Sequence, residues 1–154
     1  MSDRLAVALA QVNPVVGDID GNLDLIRRAR HDAGDADLVV LGELVVAGYP
    51  PEDLVLKRQF QDRLRRAVEA FVPETADGGP AVLLGAPWRV EGALRNVALL
   101  IEGGAIRAVV LKHDLPNYGV FDEKRVFAPG PLPRPISFRG ARLGVLICED
   151  MWSP

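Results

Sequence analysis

The stretch NVALLIEGGAIRAVVLKHD, residues 96–114, holds two apolar runs separated by Gly103 and Gly104. Adjacent glycines tolerate the positive φ that a tight two-residue turn demands, so the stretch predicts two strands folded back on one another. The first half of the chain reads differently. LAVALAQV (5–12) is strand-like, and NPVVGDIDGN (13–22) carries turn-forming Pro and Gly. Leu23, Ile26, Ala29 or Arg30, and Ala33 then recur at helical spacing, with Asp20 or Asn22 available as the cap. ADLVVLGEL (36–44) is a short continuous apolar run of the kind buried on both faces of a sheet. Strand, helix and strand at the start, with strands folded back later, predict an α/β layered fold with a mixed sheet.

The intervening segments fit that frame. In VVAGYPPEDL (45–54) two prolines rule out a central strand, and Glu52 and Asp53 favour a helix start through the macrodipole. Leu64, Ala67, Val68 and Phe71 continue a second amphipathic stripe from Phe60, ending near Pro73. AVLLGAPW (81–88) and PISFRGARLGVLICED (135–150) are further strand candidates, the latter with a hairpin turn at Arg139-Gly140. LPNYGVFDEKRVFAPGPLPRP (115–135), rich in Pro, Gly and aromatics, is too long for a plain connector and reads as a functional loop or lid.

At 154 residues, 49% hydrophobic and 25% charged, the chain suits one soluble globular domain. A net charge of -3, with no basic block or face, speaks against nucleic acid and for small-molecule or protein partners. The N-terminus lacks the features of a secretory signal and no stretch is long enough to span a membrane, so a cytoplasmic location is expected. One cysteine, Cys148, and two separated histidines, His31 and His113, offer no metal-ligand spacing, and no metal is expected.

LVVLGE, AVVLKHD and LGVLICED each run apolar and then deliver one reactive group: Glu43, Lys112 and Cys148. Taken singly, each has an ordinary explanation: a buried core thiol, a loop carboxylate, a solvated strand end. Tyr49 and Tyr118 read singly as loop-packing aromatics, the charges from Glu123 to Arg125 as a solvent face, and His113 as structural. Together the trio is chemically coherent. Three neighbouring strands ending this way would bring the groups into one pocket at the carboxyl edge of the sheet. A thiol needs a base to become a nucleophile, which Glu43 supplies, and an attacked carbonyl needs its developing negative charge held, which Lys112 supplies.

GELVVAGYPPEDLVL (42–56), LKHDLPNYGVFDEKRVFAPG (111–130) and LGVLICEDMWSP (143–154) resemble the three motif blocks of the nitrilase, or carbon-nitrogen hydrolase, superfamily. Within it they are most similar to the glutamine-hydrolysing domains of glutamine-dependent NAD+ synthetases, and the resemblance runs from VALAQVNPVVGDIDGN (7–22) onward. It implies a Glu-Lys-Cys triad at Glu43, Lys112 and Cys148, acting as general base, transition-state stabiliser and thioester-forming nucleophile. A further supporting glutamate falls on Glu123, followed by Phe127 and Gly130 at the family's spacing. Tyr118 is implied to contact glutamine, with Tyr49 and Glu149 at matching pocket positions and Glu149 suited to an α-ammonium group. Gly42 stands where the family usually has a proline before its base.

The implied fold is an αββα sandwich, of which residues 1–154 supply roughly the first half, a mixed sheet with helices on one face. The remainder of that domain, and a synthetase domain using ATP and Mg2+, are expected to lie outside this sequence. The implied activity is hydrolysis of L-glutamine to provide ammonia for amidation of deamido-NAD+, by a protein that self-associates when complete. A stand-alone nitrilase-type amidase, and a non-catalytic remnant or interaction module, are the other readings the residues leave open.

Overall fold

The computed structural model describes residues 4–152. In chain order it contains β1 (Val7–Leu9), α1 (Ile19–Asp32), β2 (Leu38–Val40), α2 (Arg58–Phe71), β3 (Ala81–Val90), β4 (Ala93–Glu102) and β5 (Ala105–Leu111). A single-turn helix α3 (Glu123–Val126) and a hairpin of β6 (Ile136–Phe138) and β7 (Ala141–Leu143) follow. The main sheet runs β1-β2-β3-β4-β5. β1, β2 and β3 are parallel, joined by crossovers that carry α1 and α2, whereas β3, β4 and β5 are antiparallel neighbours joined by hairpins. The expected mixed sheet is therefore present, and both α1 and α2 lie on one face of it.

The sheet's two faces alternate along each strand. Val82, Leu84, Ala86 and Trp88 of β3, with Val97, Leu99 and Ile101 of β4, pack with Ile19, Leu23 and Ile26 of α1 and Leu64, Val68 and Phe71 of α2. Leu83, Ala98 and Leu100 point the other way, where Phe138, Val145 and Ile147 from the last part of the chain cover them. Arg139 fastens that cover, its guanidinium reaching Asp37 at 2.6 Å and Glu102 at 2.8 Å.

The hairpins follow from turn chemistry. Gly103 and Gly104 carry φ of 58° and 76°, and Arg139 and Gly140 carry 46° and 83°, as a two-residue turn between twisted strands requires. A third turn of this kind, Glu91-Gly92 between β3 and β4, went unread in the sequence.

Several local expectations are corrected. The α1 cap is Asp18, whose carboxylate accepts from Gly21 N; Asp20 lies inside the helix, and Asn22 is buried and bonded to the Val15 and Val46 backbone. Glu52 and Asp53 open only a 3₁₀ turn, Glu52–Leu56, and α2 begins at Arg58. The strand expected to run into Cys148 stops at Leu143, and Cys148 itself starts a 3₁₀ turn, Cys148–Met151. Among the described residues no helix is long and apolar enough to cross a membrane.

Candidate active site

Glu43 and Lys112 come from strands that are not neighbours, since β3 and β4 lie between β2 and β5. The expectation of adjacent strand ends is thus replaced by a crossing. After β2 the chain keeps to β3, with Leu41 N bonded to Leu83 O at 2.9 Å and Val46 N to Gly85 O at 3.3 Å. It passes so close over Gly85 that a Cβ there would stand 2.3 Å from Leu44 N and 2.7 Å from Gly42 O. Only glycine permits this approach. The crossing carries Glu43 as far as Asn96 on β4, whose carbonyl in turn accepts from Lys112 N at 2.9 Å.

Cys148 sits at φ 48°, a left-handed conformation unusual for a side chain of this kind and held by its neighbours. Asp150 supplies that hold. One carboxylate oxygen accepts from His113 N at 3.0 Å and Asp114 N at 2.8 Å, and the other from Ile147 N at 3.0 Å. The cysteine turn is thereby tied to the backbone just past Lys112. His113 is structural, its Nδ1 2.7 Å from Gly130 O.

The centre is a buried ion cluster. Lys112 Nζ, 1% exposed as a residue, lies 2.6 Å from Glu43 Oε1 and 2.8 and 3.0 Å from the two oxygens of Glu123. Neither Lys112 nor Glu123 is the solvated charge that each residue alone would suggest, although Lys124 and Arg125 are exposed. Burial pulls the Lys112 pKa down, but Glu123 and Glu43 outweigh it and hold the ammonium above its ordinary range. Burial raises the Glu123 carboxyl, against the pull of Lys112. Cys148, half-buried, faces the same cluster. Burial and the charge of Glu43 raise its thiol, with Lys112 opposing. Two carboxylates against one ammonium leave the surroundings of the thiol net negative, so this arrangement does not store a ready thiolate; it offers a base, Glu43, to which the thiol can hand its proton.

Tyr118 and Glu149 pair, hydroxyl to carboxylate at 2.9 Å, on the wall of a cavity of about 620 Å³ that also touches His113, Asn117 and Lys124. Tyr118 is 58% exposed, available to a bound molecule. Its hydroxyl is held above the ordinary phenol range by the bond to Glu149. Tyr49 lines a different cavity of about 260 Å³, bounded by Pro50, Phe121, Glu123 and Arg125. Burial and the charges of Glu43 and Glu123 push its phenol up to about 12. The structure therefore gathers Glu43, Lys112, Glu123 and Cys148 at one point, sets Tyr118 with Glu149 on one side, and leaves Tyr49 in a separate recess. Asn96 and the clamping role of Asp150 were not read from sequence. Asn96 stands out afterwards as the one amide heading an apolar strand run.

The profile of the carbon-nitrogen hydrolase family matches residues 6–154. The chain belongs to the carbon-nitrogen hydrolase family. Among curated relatives, the glutamine-dependent NAD(+) synthetase of Thermotoga maritima is 43% identical over 153 residues, covering 98% of this chain and 26% of the relative. The chain thus spans about a quarter of the length of that relative. The solved structure of glutamine-dependent NAD+ synthetase from Acinetobacter baumannii, in complex with ADP, superposes with a TM-score of 0.86 at 40% identity, over 97% of this chain and 28% of that one. An amidase mutant from Nesterenkonia sp. AN1, showing Michael addition of acrylamide at its active-site cysteine, superposes at 0.72 with 28% identity, over 93% of this chain and 57% of that one.

Proposed function

We propose that residues 1–154 form the N-terminal part of a glutaminase domain that hydrolyses L-glutamine through a cysteine thioester. The observation that carries this reading is the buried Glu43–Lys112–Glu123 cluster set against Cys148, in a chain similar over nearly its whole length to NAD+ synthetases named as glutamine-dependent.

Glu43 takes the Sγ proton as the sulfur attacks the amide carbonyl carbon, and the C=O electrons move onto oxygen. Protonation of Glu43 weakens its hold on Lys112 Nζ, and the released N–H turns to the oxyanion. Collapse of the tetrahedral intermediate breaks the C–N bond, and Glu43 returns the proton to the leaving nitrogen, which departs as ammonia. Water, deprotonated by Glu43, then cleaves the thioester to give glutamate and the free thiol. Glu123 keeps the ammonium charged and fixed through both steps. Tyr118 and Glu149 bind the substrate's amino-acid end, with the Glu149 carboxylate facing its ammonium group. The ammonia passes to a synthetase domain of the longer polypeptide, which amidates deamido-NAD+ at the expense of ATP with Mg2+. The complete protein acts in the cytoplasm and self-associates.

The test is ammonia release by the complete open reading frame. L-Glutamine should be turned over in preference to short aliphatic amides, and Cys148→Ala should abolish glutamine-dependent NAD+ formation while leaving formation from added ammonium salts. Preference for a short amide such as acrylamide would replace this reading with that of a stand-alone amidase, the reading favoured by the fold's likeness to the Nesterenkonia amidase.

A further inference from the structure

Asn96 is 1% exposed and heads the run of β4 that crosses the middle of the sheet. Its Nδ2 donates to Glu43 Oε1 at 2.7 Å, the same oxygen that takes Lys112 Nζ at 2.6 Å. Its Oδ1 is buried with no partner among the described residues. The side chain is oriented by its surroundings, because the opposite orientation would set the amide carbonyl against a carboxylate. An amide kept in a buried place at the expense of an unpartnered oxygen marks a requirement that packing alone does not explain.

We infer that Asn96 is a positioning residue for the base: with Lys112 it holds Glu43 by one carboxylate oxygen and so presents the other to the Cys148 thiol. The inference rests on the reading of Glu43 as base and Cys148 as nucleophile. Both donors converge on Oε1 and neither donates to Oε2, so the carboxylate is fixed in rotation yet retains an oxygen for the proton. Lys112 alone cannot do this, since the same ammonium also serves both oxygens of Glu123 and has to turn toward the oxyanion during reaction. A neutral amide suits the task. A second cation would satisfy the base too well, and a carboxylic side chain would repel it.

The test uses the complete open reading frame and two variants, Asn96→Asp, which keeps the shape and removes the donor, and Asn96→Ala, which is neutral. Alkylation of Cys148 by iodoacetamide, followed on its peptide by mass spectrometry across pH, reads the thiol without any substrate. The groups whose charges bear on it are Glu43, Lys112, Glu123, Tyr49 and Tyr118. Both variants should displace the alkylation profile to higher pH, because the negative charge beside the thiol loses its amide donor or gains a neighbour. Both should also lower kcat about tenfold to a hundredfold, with KM for glutamine changed little. Should the Asp variant fail to fold, Asn96→Ala decides. An alkylation profile and kcat within about twofold of wild type in a cooperatively folding variant would overturn the inference. A wild-type protein that fails on glutamine while the variants still displace the alkylation profile would refute the substrate reading and leave the role of Asn96 standing.

Discussion

At Cys148 the sign of the electrostatics separates two kinds of thiol catalysis. A stored thiolate needs positive surroundings; here burial and Glu43 raise the thiol and only Lys112 lowers it. Glu43→Gln should therefore move Cys148 alkylation to lower pH while reducing kcat by about a hundredfold or more, since the thiol becomes easier to ionise as its base is lost. Loss of both alkylation and turnover at every pH would contradict that sign. Lys112→Met should move the alkylation profile upward and abolish turnover. It should also cost about 3–5 kcal/mol of stability in urea denaturation, because buried Glu123 and the partly buried Glu43 lose their counter-charge. Glu43, Lys112 and Cys148 could be singled out because each closes an apolar run, and Glu123 through the family spacing, and the structure brings the four together. Asn96 was not, since its role comes from strand register and from a chain segment that crosses over β3, and neither has a local signature.

Among the elements, strands and hairpins were most readable where glycine pairs mark turns and least readable where tertiary packing decides. LGVLICED has the composition of a strand, but Asp150 bonds to the Ile147, His113 and Asp114 backbone and holds the segment in a turn. The separation of β2 from β5 was equally hidden, because sequence order does not say that the two strands of a hairpin will lie between the strands that lead to Glu43 and Lys112. Gly85→Ala tests the crossing. Its Cβ would meet Leu44 N at 2.3 Å, backbone that cannot swing aside, so the 42–46 segment must lift from β3 and take Glu43 with it. The expected result is a lowered melting temperature, with kcat falling further than the stability loss accounts for. Asp150→Asn should keep the fold but weaken the clamp, since the amide nitrogen that replaces one oxygen cannot accept from backbone N–H. Hydrogen exchange should accelerate at Ile147, or at His113 and Asp114, and the midpoint of Cys148 alkylation should move down toward that of an ordinary exposed thiol as the turn loosens and burial is relieved.

Across the whole molecule the sheet is covered unequally. One face meets two helices, and the other meets the thinner cover of Phe138, Val145 and Ile147 that leads directly into Cys148. Of the attachments that hold that cover, two differ sharply in magnitude. Arg139 bridges Asp37 and Glu102 with side chains 38%, 30% and 28% exposed, and ion pairs this accessible to water and salt contribute little. Phe138 is 3% exposed, and truncating such a ring to alanine removes about 3–5 kcal/mol. Arg139→Ala should thus barely move the urea midpoint, and Phe138→Ala should move it strongly. The helix-face counterpart Phe71→Ala, at 1% exposed, should destabilise by a similar amount. The two phenylalanine variants should part company in the chemistry. Under conditions where both remain folded, loss of Phe138 loosens the layer that aims Cys148 and should reduce its alkylation rate and kcat, whereas loss of Phe71 leaves that layer intact. Equal effects of both substitutions on Cys148 would show that the cysteine turn is held by the global fold and not by the cover on its own face.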